Sequence, residues 1–436
     1  MDKQKLIQEH PQIKDLMAKK PIVWRNPDYG ERAPLPLSRA QIFDAVARWE
    51  RFAPYLERVF PETVATHGVI ESPLIRIDRM RAAWEMLNHQ SLHGQLYLKA
   101  DSELPVSGSI KSRGGIYEVL KFAERVAMQR SDLTYLDDYG VLANSDYHRL
   151  FAQYGVIVAS TGNLALSVGI AAASFGFKTT VYMSHDARQW KKDRLRANGV
   201  TVKEFDTDFS SVIPLARQAA AADPHCHFVD DEGSTDLFLG YAVAAVRLQH
   251  QFKKQGIKVD AKHPVVVYLP AGVGGSPSGV AFGLKMIMGA NVHPVFCEPT
   301  HVPSVTLGMM TKLNEKISVQ DIGLDGLTAA DGLAVSRPSR IAGKIMRTLL
   351  LGSVTFNDDD LFEYVSELID TQKITVEPSA AAGFTAIKPL TTAVPELGGA
   401  NVTHVVWATG GDMMPVSERE RDYQRGTTLL THERFN

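Results

Sequence analysis

Alternating apolar runs and helical patterns place this chain in the α/β class, with mainly parallel, twisted sheets and a smaller domain inserted into a larger one. Two observations carry that expectation. From Gln95 onward, the short β-branched or apolar runs QLYLKA, GVIVAS, KTTVYM, GVTVKEF, CHFVD, PVVVYL, VHPVFC, ITVE and THVVWAT each precede a Gly, Ser or Pro turn. The chain is also long, at 436 residues, with 44% hydrophobic and 22% charged residues, which excludes a disordered or fibrous protein and suggests two or three domains.

The first 65 residues combine turns at Pro21, Pro27, Pro34 and Pro36 with an amphipathic helix from Ala40 to Phe52, in which Ile42, Phe43, Val46 and Trp49 recur at helical spacing. They read as an N-terminal extension packed on the core. Residues 66–139 and 241–436 form the expected larger domain, and residues 140–240 the inserted smaller one. A net charge of −2 supplies no broad positive field for nucleic-acid phosphates or anionic lipid. The longest apolar region, Gly155 to Phe177, is broken by Ser160-Thr161-Gly162-Asn163, which argues against a membrane span. A small-molecule partner follows. Two cysteines, Cys226 and Cys297, and a charged amino terminus without an apolar signal region point to the cytoplasm.

In open α/β sheets, ligands sit beyond the carboxyl ends of the strands, where turns lead into helix N-termini. Four such turns stand out. In SGSIKSRGG, Lys111 begins a helical pattern. The positive end of the helix and nearby Arg113 both disfavour an ammonium there, which favours the neutral amine that attacks an aldehyde. In AGVGGSPSG, the amides of Gly272, Val273, Gly274, Gly275 and Ser276 can converge on a phosphate, ahead of a helix expected from about Val280. The turn fits neither a Rossmann fingerprint, since Pro277 stands where Gly is needed, nor a P-loop, since Val280 and Ala281 follow Gly279. A phosphate needing neither Mg²⁺ nor a lysine remains, such as the 5′-phosphate of a cofactor, with a plain strand-to-helix corner as the other reading. The amides of Ser160, Thr161, Gly162 and Asn163 can receive a carboxylate while the Asn163 side chain donates to a ring oxygen; capping alone would also explain them. At the end of THVVWAT, the Thr409 hydroxyl can meet a pyridine nitrogen without protonating it, a choice that favours elimination.

Together and in this chain order, the four turns resemble those of the fold-type II pyridoxal-phosphate enzymes, a two-domain, tryptophan synthase β-like family. A closer resemblance is to its bacterial D-serine dehydratase branch, through RFAPYLERVFPET, GVIESPL, PVSGSIKSRGGIYEVL, STGNLALSVGI, FVDDE, LFLGY, VYLPAGVGG, ISVQDIGLDGLTAADGLAV, EPSAAAG and HVVWATGGDM. The resemblance implies pyridoxal 5′-phosphate in a Schiff base with Lys111, its phosphate on Gly272 to Ser276, Asn163 at the ring hydroxyl and Thr409 at the ring nitrogen. It implies Thr161 as a second proton-transfer group and α,β-elimination of D-serine to pyruvate and ammonia by a monomer. Asp230 and Asp231 are candidates for the substrate amine or hydroxyl, with an acidic surface loop as the other reading. Glu298 and Glu377 match acidic positions that bind a monovalent cation in relatives, with a structural role as the other reading; the metal site itself is unknown. His225-Cys226-His227 reads as structural. Ser276, Ser278 and Asp412 depart from the family's usual glycines, and an Asp412 carboxylate at the ring nitrogen would favour transamination or racemisation. The alternatives are a dehydratase or racemase for another β-hydroxy amino acid (D-threonine, L-serine or L-threonine) and, in a different class, a non-catalytic phosphate- or metabolite-binding protein.

Overall fold

The strands form two sheets in a computed structural model that describes residues 3–185, 187–207 and 209–435, so the outermost residues of the 1–65 and 241–436 spans lie outside it. In chain order they are β1 (Val23–Arg25), β2 (Leu74–Arg76), β3 (Gln95–Ala100), β4 (Gly155–Ala159), β5 (Lys178–Ser184), β6 (Thr201–Phe205), β7 (Cys226–Val229), β8 (Val265–Pro270), β9 (Val292–Pro299), β10 (Gly352–Phe356) and β11 (Thr403–Ala408). The chain divides into two compact units. One takes the chain up to Arg39, Ser72–Glu103 and everything from Ala244; the other takes Ala40–Glu71 and Leu104–Val243.

The first unit holds a seven-stranded sheet in the order β1-β10-β9-β8-β11-β3-β2. Its five central strands pair in parallel, and the flanking β1 and β2 pair antiparallel. VVVYLP in β8 is buried at every residue, as expected of a strand covered on both faces. Trp84, Phe384, Tyr364 and Leu361 belong to its core. The second unit holds a four-stranded, all-parallel sheet in the order β6-β5-β4-β7. The amphipathic helix runs further than its periodicity indicates, over Arg39–Val59, with Pro54 inside it. From this helix Tyr55 stacks on Phe175 at 4.1 Å, and Arg48 forms a buried ion pair with Glu124 at 2.6 Å.

The unit boundaries differ from those read in the sequence. The amino-terminal 65 residues divide, supplying β1 to one unit and the Arg39–Val59 helix to the other, and residues 104–139 group with the smaller sheet. ITVE joins no sheet among the described residues. Its last residue, Glu377, gives its N–H to Gly410 O at 3.0 Å instead of to a strand. The missing strand is GSVTF, whose Gly352 admits β1: a Cβ there would lie 2.2 Å from Trp24 O. Among the described residues no helix is long and apolar enough to cross a membrane.

Candidate active site

In the second unit, β4 and β7 are neighbours, so the turns at their carboxyl ends emerge side by side: Ser160-Thr161-Gly162-Asn163 after β4, and Asp230-Asp231 after β7. The helix Asn163–Phe175 opens directly from the first turn, with Gly162 at its N-cap and Ser160 Oγ accepting the Gly162 N–H at 3.2 Å. The hydroxyl of Ser167, one turn into this helix, donates to the carbonyl of Lys111 at 2.7 Å. Lys111 is thereby fixed by its backbone to the helix that follows the Ser-Thr-Gly-Asn turn.

Lys111 precedes a π-helical turn, Ser112–Ile116, which leads into the α-helix Tyr117–Arg130. The two glycines of that turn permit close packing, since a Cβ on Gly114 would lie 2.4 Å from the Tyr241 ring and one on Gly115 2.5 Å from Ser167 Oγ. Such widened turns recur at functional sites. Lys111 Nζ donates to both carboxylate oxygens of Asp231, at 3.0 and 3.2 Å, and lies 5.8 Å from the Tyr241 ring centroid. The Tyr241 hydroxyl is buried without a partner among the described residues, and burial holds it well above the ordinary phenol range.

This corrects the electrostatics expected around Lys111. Arg113 does not act on it as an uncompensated charge, because its guanidinium forks onto Glu71 at 2.5 and 3.1 Å. Lys111 Nζ instead faces the carboxylate of Asp231. Asp230 turns elsewhere, to Arg217 at 3.3 Å.

In the first unit, β8 and β11 are neighbours, and the glycine-rich turn and Thr409-Gly410-Gly411 leave their carboxyl ends. The helix after the glycine turn starts at Gly275 rather than near Val280, because Pro277 is tolerated within a first helical turn. Ala271 N–H bonds Cys297 O at 3.0 Å and Ser278 N–H bonds Gly274 O at 3.1 Å. Between them, the amides of Gly272 to Ser276 have no acceptor among the described residues. Gly274 is left-handed at φ +96°, and a Cβ on Gly272 would meet Gly332 O at 3.0 Å. Ser278 Oγ is buried with no partner among the described residues. Consecutive unpaired amides at a helix N-terminus, with a buried hydroxyl nearby, suit an oxyanion such as a phosphate. Ser278 stands where the family more usually has glycine, and its hydroxyl can donate to such a phosphate; Ser339, which no sequence motif singles out, holds the turn by donating its N–H to Val273 O at 2.7 Å.

Thr409 is buried, and its hydroxyl makes no bond to the described residues, whereas Asp412 is exposed. The Asp412 carbonyl accepts from Arg419, and Gly411, at φ +144°, is pressed against Val376 and Glu377. Glu298 is fully buried, with its carboxylate accepting Val305 N–H and Thr306 N–H at 2.8 Å each and the Thr306 hydroxyl. Burial outweighs these donors and pushes its carboxyl up to about 7. It therefore caps the helix Ser304–Met310. His227 pairs with Glu118, and no cluster of metal-ligating side chains occurs among the described residues.

A family model described as "Pyridoxal-phosphate dependent enzyme" matches residues 65–410. The chain belongs to that family. This pyridoxal-phosphate dependent enzyme is 78% identical over 431 residues, 99% of each chain, to a protein named "Probable D-serine dehydratase" from Lactiplantibacillus plantarum. It is 56% identical over 427 residues, 98% of this chain and 99% of the other, to one of the same name from Pediococcus pentosaceus. Among solved structures, diaminopropionate ammonia lyase from Escherichia coli in complex with D-serine superposes with a TM-score of 0.73 over 93% of this chain and 97% of that one, at 19% identity. Maize serine racemase gives 0.62 over 89% and 98%, at 18% identity. At these identities the likeness is one of fold, the fold-type II architecture expected from the sequence.

Proposed function

We propose that this enzyme eliminates water from D-serine and releases pyruvate and ammonia. The water lost in elimination is regained on hydrolysis, so D-serine equals the two products atom for atom. The observation that carries the reading is the near-full-length, 78% identity to a protein named for that reaction, in a chain whose own turns present a lysine, a phosphate cradle and a buried threonine.

In this reading Lys111 Nζ holds the cofactor aldehyde covalently, with Asp231 orienting the amine. The amides of Gly272, Val273, Gly274, Gly275 and Ser276 hold the phosphate, Asn163 donates to the ring hydroxyl and Thr409 hydrogen-bonds the ring nitrogen. The contrast between buried Thr409 and exposed Asp412 supports the hydroxyl at that position. Bound pyridoxal phosphate supplies the electron sink for charge left when the Cα–H bond breaks. The Ser160-Thr161-Gly162-Asn163 turn receives the substrate carboxylate, with the Ser160 N–H itself held by Tyr182 O at 3.1 Å and the Gly162 N–H by Ser160 Oγ at 3.2 Å. Thr161 and Lys111 offer proton-transfer groups, as a D-substrate requires when its Cα hydrogen is presented from the face opposite that of an L-substrate. The enzyme acts as a cytoplasmic monomer; the support is two free cysteines, Cys226 and Cys297, and the resemblance. A monovalent cation rests on the resemblance alone, since Glu298 spends both oxygens on Val305 and Thr306.

Borohydride trapping followed by peptide mass mapping tests the attachment site, and side-by-side turnover of D-serine, L-serine and D-threonine tests the substrate. A reduced adduct on the Lys111 peptide with preferential pyruvate formation from D-serine is expected. A protein that develops no new absorption band with the aldehyde cofactor is the non-catalytic binder, and equal turnover of L-serine removes the D-serine assignment.

A further inference from the structure

We infer that Glu118 is a positioning residue that clamps the Asp231 loop in register with Lys111. Its buried carboxylate accepts the Ser234 hydroxyl at 2.5 Å through one oxygen and pairs with His227 Nε2 at 2.8 Å through the other. His227 lies in β7 and Ser234 immediately precedes the helix Thr235–Lys254, so the two contacts bracket the loop that carries Asp231. Glu118 itself lies seven residues after Lys111 on the same helical run. One element therefore presents the lysine to the loop and grips both ends of that loop. The grip is reinforced at each side. Ser234 Oγ also accepts Leu237 N–H at 3.1 Å, and the His227 ring stacks on Phe122 at 4.8 Å. Inside the loop, Gly233 and Ser234 donate their N–H groups to Asp230 O at 3.2 and 2.9 Å. A carboxylate buried at this cost persists only where its partners are fixed; burial pushes its carboxyl up, opposed by His227 and Ser234.

The inference deepens the D-serine reading and rests on it for its kinetic arm only. Glu118→Ala, Glu118→Gln and wild type are compared by hydrogen–deuterium exchange of residues 228–238 in the cofactor-free protein, and by kcat and KM of the loaded enzyme. In Glu118→Ala, loop exchange is expected to rise about tenfold and kcat to fall about tenfold with KM nearly unchanged, because positioning and not binding is lost. Glu118→Gln, which keeps a carbonyl acceptor for Ser234, is expected to recover most of both. Should Glu118→Ala fail to fold, Ser234→Ala against Ser234→Thr reads the same contact, with threonine restoring what alanine loses. Wild-type loop exchange in the alanine variant, a loss carried by KM, or no recovery by the conservative variant overturns the inference. Failure of the wild-type protein on D-serine would overturn the substrate reading and leave the exchange result standing.

Discussion

Both carboxylate oxygens of Asp231 accept from Lys111 Nζ, so the amine expected to carry the cofactor is held by a two-point contact across 120 residues of sequence. A lysine chain has many rotamers, and this contact selects one. Asp231→Asn keeps the size and removes the charge. It is expected to lower kcat/KM for D-serine about 100-fold while leaving the thermal midpoint within a few degrees of wild type. Steady-state kinetics and a melt decide; unchanged kinetics would show that the pair is incidental.

The backbone at Gly411 tolerates no side chain. A Cβ there would lie 2.4 Å from Glu377 N, and φ is +144°. Gly411→Ala should cost at least about 2 kcal/mol and lower the melting temperature by about 2 °C or more, with activity lost because Thr409 is two residues away. Gly256 is the control: it is left-handed at φ +71° but has nothing within 4 Å, so Gly256→Ala should cost only about 1 kcal/mol.

Glu298 should make stability depend on pH in an unusual direction for a carboxylate. Its folded value, about 7, lies above its ordinary value of 4.5. The folded state therefore binds more protons than the unfolded state between these values, and the contribution is full below 4.5 and lost as pH rises through 7. Urea unfolding of wild type should weaken across that window by up to about 3 kcal/mol relative to Glu298→Gln, which has no proton to lose. Parallel slopes for the two proteins would refute the assignment.

Cofactor removal should be visible as lost stability. Stripping the aldehyde with hydroxylamine and dialysing should lower the melting temperature, and restoring cofactor at about 1,000 times its dissociation constant should return about 4 kcal/mol. Lys111→Ala should show little of this gain. A full gain in that variant would place the attachment elsewhere.

The sequence made the parallel strands and the four turns legible because strand burial and glycine clustering leave local signatures. β8 is apolar throughout, and Gly274 sits at a left-handed position where its residue type announces it. What stayed hidden depends on contacts distant in sequence. β10 starts with glycine and serine, so GSVTF carried a weaker strand pattern than ITVE, which joins no sheet among the described residues. The Arg113 charge was readable, but its compensation by Glu71, 42 residues earlier, was not. Asp231 was named as a candidate for the substrate, yet nothing local tied it to Lys111. Nothing local singles out Glu118, whose partners His227 and Ser234 lie more than 100 residues further along the chain.

The three-residue strands β1 and β2 close the larger sheet on opposite sides, each running against its neighbour and ending in an exposed arginine, Arg25 or Arg76. A short, charged, reversed border offers little template for another chain to extend the hydrogen-bond ladder. Deleting the residues through Arg25 would bare the buried Gly352–Phe356 segment along its unpaired backbone, turning a sealed margin into one on which copies of the protein can polymerise.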